Sequence, residues 1–368
     1  MKILLASLFL AGLSSTVVAQ SNFKESSNSF ARYTITGDIK QLESAKKFID
    51  EAYKTKRDST SRKNTLLRAM VYSSLAYADS NRTIKTDRDP IDITKQALSK
   101  LKNKDSYELE MNYINQNLIA AHIFRANKLL NKETLAPEDY KKAYDDYLVV
   151  EKLGANSDEL LVNLASLSRL GNLNNEAIEY YSKLIKIGDG NVNNYLTLAE
   201  LYHKVGNKQN QLQTLLEARA KLKNDKKILF ALVDFYTNEK SFNAIAPLAE
   251  EVSNADPSNV EIHYLLGYSL ENTGSIEQAK SYYQKALAID DMHYNANLAL
   301  GLIHLNEFLS NKSDLEAQYS AQNYLLKANG IQPYAINTLK GLSLFYEAAE
   351  DDDQLDRVKV LLNQLSNN

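Results

Sequence analysis

Apolar residues recur along the C-terminal half of the chain with a period of 34 residues. Leucines stand at each repeat of this period: Leu164, Leu198, Leu232, Leu266 and Leu300. A small or modest residue follows each leucine, and the positions three before and four after it complete a stripe. Spacings of 3, 1 and 3 place these residues on one face of an α-helix. The pattern predicts a first helix in each period, starting near residues 158, 192, 226, 260 and 294.

A second stripe with spacings of 4 and 3 follows in each period and predicts a second helix. Ala177, Tyr181 and Leu184 form it in one period, and Ala279, Tyr283 and Ala286 form it in another. A single helix pair cannot bury both stripes, so neighbouring pairs are expected to stack. Pro247 lies inside one predicted second helix, which should therefore start late or kink.

The last part of the array departs from the strict period. The second stripe returns at Ala321, Leu325 and Ala328, displaced by eight residues, and we expect the extra residues to lengthen the loop around 307–316. A final unit starts near 336 and becomes polar toward its end, as expected for a cap. The acidic run at 350–353 lacks the alternation of a calcium loop and is predicted to be a solvated part of that cap.

The N-terminal half is expected to be organised more loosely. Residues 1–19 combine Lys2, a short apolar run and a Val17-x-Ala19 ending, which predicts a signal peptide cleaved after Ala19. The alternative is a membrane anchor, but the apolar run of about 11 residues is shorter than the ~20 that a span needs. Residues 20–37 are polar and are predicted to be a flexible linker, and 38–156 carry degenerate helical stripes. We therefore expect a soluble exported protein, periplasmic or secreted, without a membrane span after cleavage.

Composition narrows the chemistry. The chain of 368 residues has no Cys and a formal net charge of −3. These values exclude disulfides and Cys-ligated metals, and they give no electrostatic footprint for nucleic acid. The five His residues form no HxxxH pair or His–carboxylate cluster at ligand spacing, and no nucleophile or phosphate-loop motif occurs. The sequence predicts a non-catalytic protein without metal or cofactor.

Residues 260–290 resemble the tetratricopeptide repeat, a 34-residue antiparallel helix pair. Leu266, Gly267, Gly274 and Ala279, with Tyr283 and Ala286, fall on the family's small and large positions. The resemblance implies an all-α fold, a right-handed α-solenoid superhelix of antiparallel helix pairs. It covers 157–368 strongly, with units near 158, 192, 226, 260, 294 and 336, and 38–156 weakly.

The resemblance also implies a binding groove lined by the first helices. Carried over by register, the groove positions are Phe230, Asp234, Tyr264, Tyr268, Glu271, Leu298, Leu302, Leu305, Lys340 and Leu344. The family's carboxylate clamp needs Lys and Asn at positions that here hold Phe230, Asp234, Tyr264 and Tyr268. An apolar protein or peptide segment is therefore the expected ligand, its identity unknown. Two alternatives stay open: a segment of the chain itself fills the groove, or the protein binds or processes carbohydrate. Exported sugar binders usually expose Trp, and this chain has none.

Overall fold

The computed structural model describes residues 19–54, 59–188 and 190–366, and these residues form an all-α solenoid of consecutive helix pairs with no β-strand among them. Two compact units are present, with the border between Asn207 and Lys208. The border predicted between 156 and 157 concerns the regularity of the repeats and stays a prediction. The predicted signal peptide lies outside the described residues, apart from Ala19. None of the helices in the described ranges is long and apolar enough to cross a bilayer.

The N-terminal unit contains nine α-helices in the described part of the chain. They are α1 (Ala19–Thr36), α2 (Ile39–Ala52), α3 (Arg62–Ala78), α4 (Pro90–Lys100), α5 (Glu108–Leu130), α6 (Pro137–Lys152), α7 (Asp158–Leu170), α8 (Asn174–Lys186) and α9 (Val192–Lys204). A 3₁₀ turn, Lys104–Tyr107, precedes α5. Apolar side chains from α1 to α5 form one continuous core that includes Phe30, Leu42, Met70 and Leu118.

The C-terminal unit continues the series with ten helices among its described residues. They are α10 (Lys208–Lys221), α11 (Lys226–Asn238), α12 (Phe242–Ile245), α13 (Ala249–Ala255), α14 (Val260–Asn272), α15 (Ile276–Ile289), α16 (Tyr294–Ser310), α17 (Leu315–Ile331), α18 (Ile336–Ala348) and α19 (Asp352–Ser366). Two apolar clusters lie between these helices. One is centred on α14 and α15 and the other, C-terminal, cluster on α16 to α19.

The first helices begin where the periodic pattern predicts. Helices α7, α9, α11, α14, α16 and α18 start at Asp158, Val192, Lys226, Val260, Tyr294 and Ile336. The five periodic leucines are 0–5% exposed. The residue before each of the first five starts is polar, and its side chain accepts a hydrogen bond from a backbone N–H of the first turn: Ser157, Asn191, Asp225, Asn259 and His293. A repeated N-cap therefore fixes the helix starts, since these N–H groups have no partner inside the helix.

The first helices also end in a repeated way. The residue after the C-cap has a positive φ in four consecutive units, at Asn172 (58°), Gly206 (72°), Lys240 (53°) and Gly274 (79°). The next residue's N–H donates back into the helix, for example from Ser275 to the Leu270 carbonyl at 2.9 Å. This is a left-handed helix cap, which glycine adopts without the steric cost that other residues bear.

The expectation of a longer loop around 307–316 is wrong. Helices α16 and α17 each have 17 residues, against 13 in α14 and 14 in α15, and the intervening loop gains only one residue. Each helix therefore gains about one turn, which keeps both stripes on their buried faces because a turn takes 3.6 residues. Phe308 and Ala317, on the added turns, are buried in the C-terminal cluster.

The second helix of the unit that contains Pro247 is broken, as the sequence predicts. A short helix ends at Ile245, a 3₁₀ turn spans Ala246–Leu248, and the helix resumes at Ala249. Proline has no N–H to donate and its ring clashes with the preceding turn, so the regular helix cannot pass through it. Ile245, Ala249 and Val252 nevertheless remain buried, which preserves the second stripe.

Residues 20–37 are not a flexible linker. They belong almost entirely to α1, which packs against α2 and places Phe30 in the N-terminal core. The Ser26 hydroxyl is fully buried and donates to the Ala45 carbonyl at 2.8 Å. Phe23, Ser26, Phe30 and Tyr33 have helical spacing, so a serine small enough to sit against α2 completes an otherwise apolar stripe.

Candidate functional site

Three exposed apolar side chains occupy the same position in three successive first helices of the C-terminal unit. Tyr268 on α14, Leu302 on α16 and Leu344 on α18 are 41%, 39% and 50% exposed. We call these three residues the exposed row. Leu302 lies against α18 where that helix has no side chain, since a Cβ built on Gly341 would be 3.1 Å from Leu302 Cδ2. The groove register thus places three exposed apolar side chains on successive first helices.

Tyr268 is held by other aromatic rings. Its ring stacks on Tyr264, with centroids 6.3 Å apart and planes at 27°, and meets Phe242 edge-on at 5.4 Å. Tyr264 in turn lies 5.8 Å from Tyr283 and 5.2 Å from His293. Burial raises the pKa of the Tyr264 phenol, and Tyr268 and Glu271 add to the effect. A ring fixed on one side and open on the other is a preorganised contact, because little rotamer entropy remains to be lost on binding.

Some of the other predicted groove residues are exposed on the surface, and others pack against the apolar clusters. Asp234 and Lys340 are exposed, at the two ends of the predicted groove. Phe230 and Leu298 are half-buried against the two apolar clusters of the C-terminal unit. The Glu271 carboxylate accepts a 2.6 Å hydrogen bond from the Tyr283 hydroxyl, whose pKa is raised by burial and by this carboxylate. Glu271 therefore supports the fold beside the groove.

Leu305 does not face the groove. It is 3% exposed and belongs to the C-terminal cluster with Phe308 and Ala317. The physical reason is the extra turn of α16 and α17, whose side chains pack over this part of α16 and bury Leu305. The groove positions are assigned by the register of a 13-residue first helix, which lacks the added turn that buries Leu305.

One buried polar cluster lies outside the sequence predictions. The His122 Nδ1 atom on α5 is 2.6 Å from the Asp146 carboxylate on α6. The two residues are 24 positions apart, and no local spacing signals their contact. Within the described ranges, no group of three or more His, Cys, Asp or Glu side chains could hold a metal ion.

The comparisons with known proteins identify the repeat. The tetratricopeptide-repeat family model matches residues 260–291, which contain α14 and α15. Residues 260–291 are thus a tetratricopeptide repeat. This unit contributes Tyr264, Tyr268 and Glu271 to the predicted groove. No curated protein matches the chain.

The solved structures that match align with about half of the chain. The crystal structure of MamA is 18% identical, with a TM-score of 0.38, over 46% of this chain and 95% of MamA. The structure of YrrB, titled a TPR protein with an unusual peptide-binding site, is 19% identical, with a TM-score of 0.37, over 48% of this chain and 88% of YrrB.

Proposed function

We propose that the protein is a non-catalytic scaffold whose C-terminal unit binds an apolar segment of a protein partner along the exposed row. The observation that carries this proposal is the presence of Tyr268, Leu302 and Leu344 at one position of three successive first helices, each more than a third exposed. Exposed apolar side chains on a surface mark interaction sites, because their hydration is unfavourable and a bound partner removes them from water. Tyr268 would be the main anchor, since rigid aromatic residues dominate binding energies.

A peptide selection tests this proposal even though the sequence of the partner is unknown. Peptides displayed on phage are selected against the purified protein, and the affinity of the strongest one is measured by fluorescence polarisation. The triple variant Tyr268→Ala, Leu302→Ala, Leu344→Ala should weaken binding at least about 100-fold, since losing two or more anchors costs several kcal/mol. Its helicity should stay unchanged, because none of the three side chains is buried.

Tyr319→Ala is the matched control. Tyr319 lies on the second helix α17 and is 72% exposed, so it is an equally apolar surface residue away from the exposed row. The control variant should bind the peptide as the wild type does. Selected peptides that bind the triple variant with wild-type affinity, or that depend on Tyr319, would refute the groove assignment.

We also propose that the protein is exported. Support comes from the N-terminal sequence, in which a short apolar run ends in Val17-x-Ala19. Cleavage after Ala19 would remove only the first residue of α1 and leave the packed Phe30 and Ser26 in place. The intact mass of the protein recovered from its native cell should correspond to a chain that begins at Gln20. A full-length species in the membrane fraction would contradict export by this route.

A further inference from the structure

A cavity of about 440 Å³ lies in the N-terminal unit among α4, α5 and α6. Its most buried polar lining is a cluster of His122, Arg125 and Asp146. Arg125 Nε donates to Asp146 Oδ2 at 2.9 Å, its Nη2 donates to Oδ1, and His122 Nδ1 lies 2.6 Å from Oδ1. Burial opposes ionisation of Asp146, but the hydrogen bonds from His122 and Arg125 outweigh it and lower the pKa of this carboxyl. Asp146 is therefore a fixed anion that orients both neighbours.

The contacts of His122 determine which ring nitrogen carries the proton. Nδ1 lies 2.6 Å from the acceptor Asp146 Oδ1 and farther, 3.3 Å, from the donor Arg125 Nη2, so the shorter contact assigns the proton to Nδ1. In the neutral imidazole Nε2 then holds a lone pair. Nε2 is buried and has no hydrogen-bond partner in the structure, and the ring is 0% exposed. A buried acceptor without a donor is costly, and His122 belongs to the cavity lining, so a ligand that displaces the side chains covering Nε2 would supply the donor that it lacks.

The cavity lining has a small excess of positive charge. Lys95 on α4 and Lys142 on α6 are exposed lining residues, and neither makes an ion pair within the described part of the chain. Asp145 also lines the cavity and is exposed. With Asp146 matched by Arg125, two free lysines face one free carboxylate, so the lining carries one uncompensated positive charge. A monoanion complements it.

The remaining lining is apolar. Leu129 on α5 and Val149 on α6 are half-buried side chains on the cavity wall. The volume falls within the range of small-molecule sites, which typically measure ~300–1,000 Å³. Such sites combine apolar walls with a few fixed polar groups, and this cavity has both.

We propose that this cavity binds a small organic acid that carries one carboxylate and one hydroxyl donor on an apolar frame. The carboxylate meets Lys95 and Lys142, the donor meets His122 Nε2, and the frame packs on Leu129 and Val149. The site lies in the N-terminal unit, so it is independent of the peptide groove proposed above.

Isothermal titration calorimetry of the full chain with four matched compounds tests the ligand class. Phenyllactate has all three features, and phenylalanine replaces its hydroxyl by an ammonium group that cancels the net negative charge. Phenylpropionate lacks the donor, and phenyllactamide lacks the charge. We expect phenyllactate to bind, and each of the other three compounds to bind at least about tenfold more weakly. No heat from phenyllactate at millimolar concentration, or equal affinity of phenylpropionate, would overturn the proposal.

Variants then assign the contacts. Lys95→Met and Lys142→Met each remove an exposed charge and should weaken the binding of phenyllactate at least about tenfold. The melting temperature of both variants should stay unchanged. Lys128→Met, an exposed lysine on α5 outside the lining, is the matched control and should bind as the wild type does. His122→Asn keeps an N–H donor for Asp146 and removes Nε2, so it should lose the preference for phenyllactate over phenylpropionate. Wild-type affinity in both lysine variants would refute the site, whatever the stability of His122→Asn.

Discussion

The Tyr283 ring lies directly against the Cα of Gly267, on the facing helix of the same repeat. A Cβ built on Gly267 would be 2.7 Å from Cδ1 and Cε1 of Tyr283, closer than real Cβ contacts. Tyr283 is fully buried, its hydroxyl is bonded to Glu271 at 2.6 Å, and its ring contacts Tyr264. The ring therefore has no free direction in which to move, and the missing side chain sets the distance between α14 and α15.

Gly267→Ala should destabilise the protein by about 1–3 kcal/mol through overpacking, although alanine is the better helix former. Gly330→Ala, in α17, is the matched control, because a Cβ there would meet nothing within 4 Å. The control should be stabilised by about 0.5–1 kcal/mol. Urea unfolding of both variants measures the difference. Equal stability of the two would mean that α14 and α15 are not in close contact at Gly267.

Lys240→Gly should stabilise the protein by about 0.5–1 kcal/mol, because it relieves a left-handed backbone conformation. Lys240 has φ 53°, at the position that Gly206 and Gly274 occupy in neighbouring units. Gly274→Ala is the reverse test, since φ is 79° and a Cβ would have open space, so only backbone strain is added. It should lose about 1 kcal/mol. Thermal melts that move both variants in the same direction would contradict the repeated cap.

Asp146 should make the free energy of unfolding depend on pH in the acidic range. Its pKa is lowered in the folded chain, so the unfolded chain binds a proton at higher pH than the folded one. The stabilisation is therefore fully present above the ordinary Asp pKa near 3.9 and is lost as pH falls through the lower folded value. Asp146→Asn should cost about 1.5–3 kcal/mol at pH 7 and flatten the fall in stability below about pH 5. Urea unfolding at several pH values compares the slopes, and an unchanged slope would exclude Asp146 as a source.

Periodicity predicts the helix starts well because burial repeats with the helices. Leu164 and its four equivalents must all be covered, so a 34-residue period in sequence becomes a 34-residue period in structure. Periodicity does not predict α1, because the polar Ser26 interrupts its apolar stripe. The hydrogen bond from Ser26 to the Ala45 carbonyl, which allows this serine to be buried, is made to another helix and cannot be seen in the sequence. Periodicity also places the extra residues after Gly301 in a loop, since a stripe displaced by eight does not reveal whether loop or helix has grown.

The candidate sites are less predictable, since they depend on what covers each side chain. Tyr268 and Leu302 are exposed in the structure, whereas Leu305 is covered by added turns that the register cannot include. His122 meets Asp146 only because α5 packs on α6, and neither residue has a local partner pattern. Contacts between helices therefore set the limit of what this sequence reveals about its sites.

Leu302 and Leu305, three residues apart on α16, should respond in opposite ways to the same substitution. Leu305 is 3% exposed and Leu302 is 39% exposed. Leu305→Ala leaves a cavity in the C-terminal cluster and should destabilise the protein by about 2–5 kcal/mol. Leu302→Ala removes a surface side chain, so it should lower the free energy of unfolding by about 1 kcal/mol or less. It should also weaken the binding of the peptide selected against the wild-type protein. Urea unfolding and fluorescence polarisation, applied to both variants, separate packing from binding. If Leu305→Ala kept wild-type stability but no longer bound the peptide, Leu305 would line the groove, as the family register assigns.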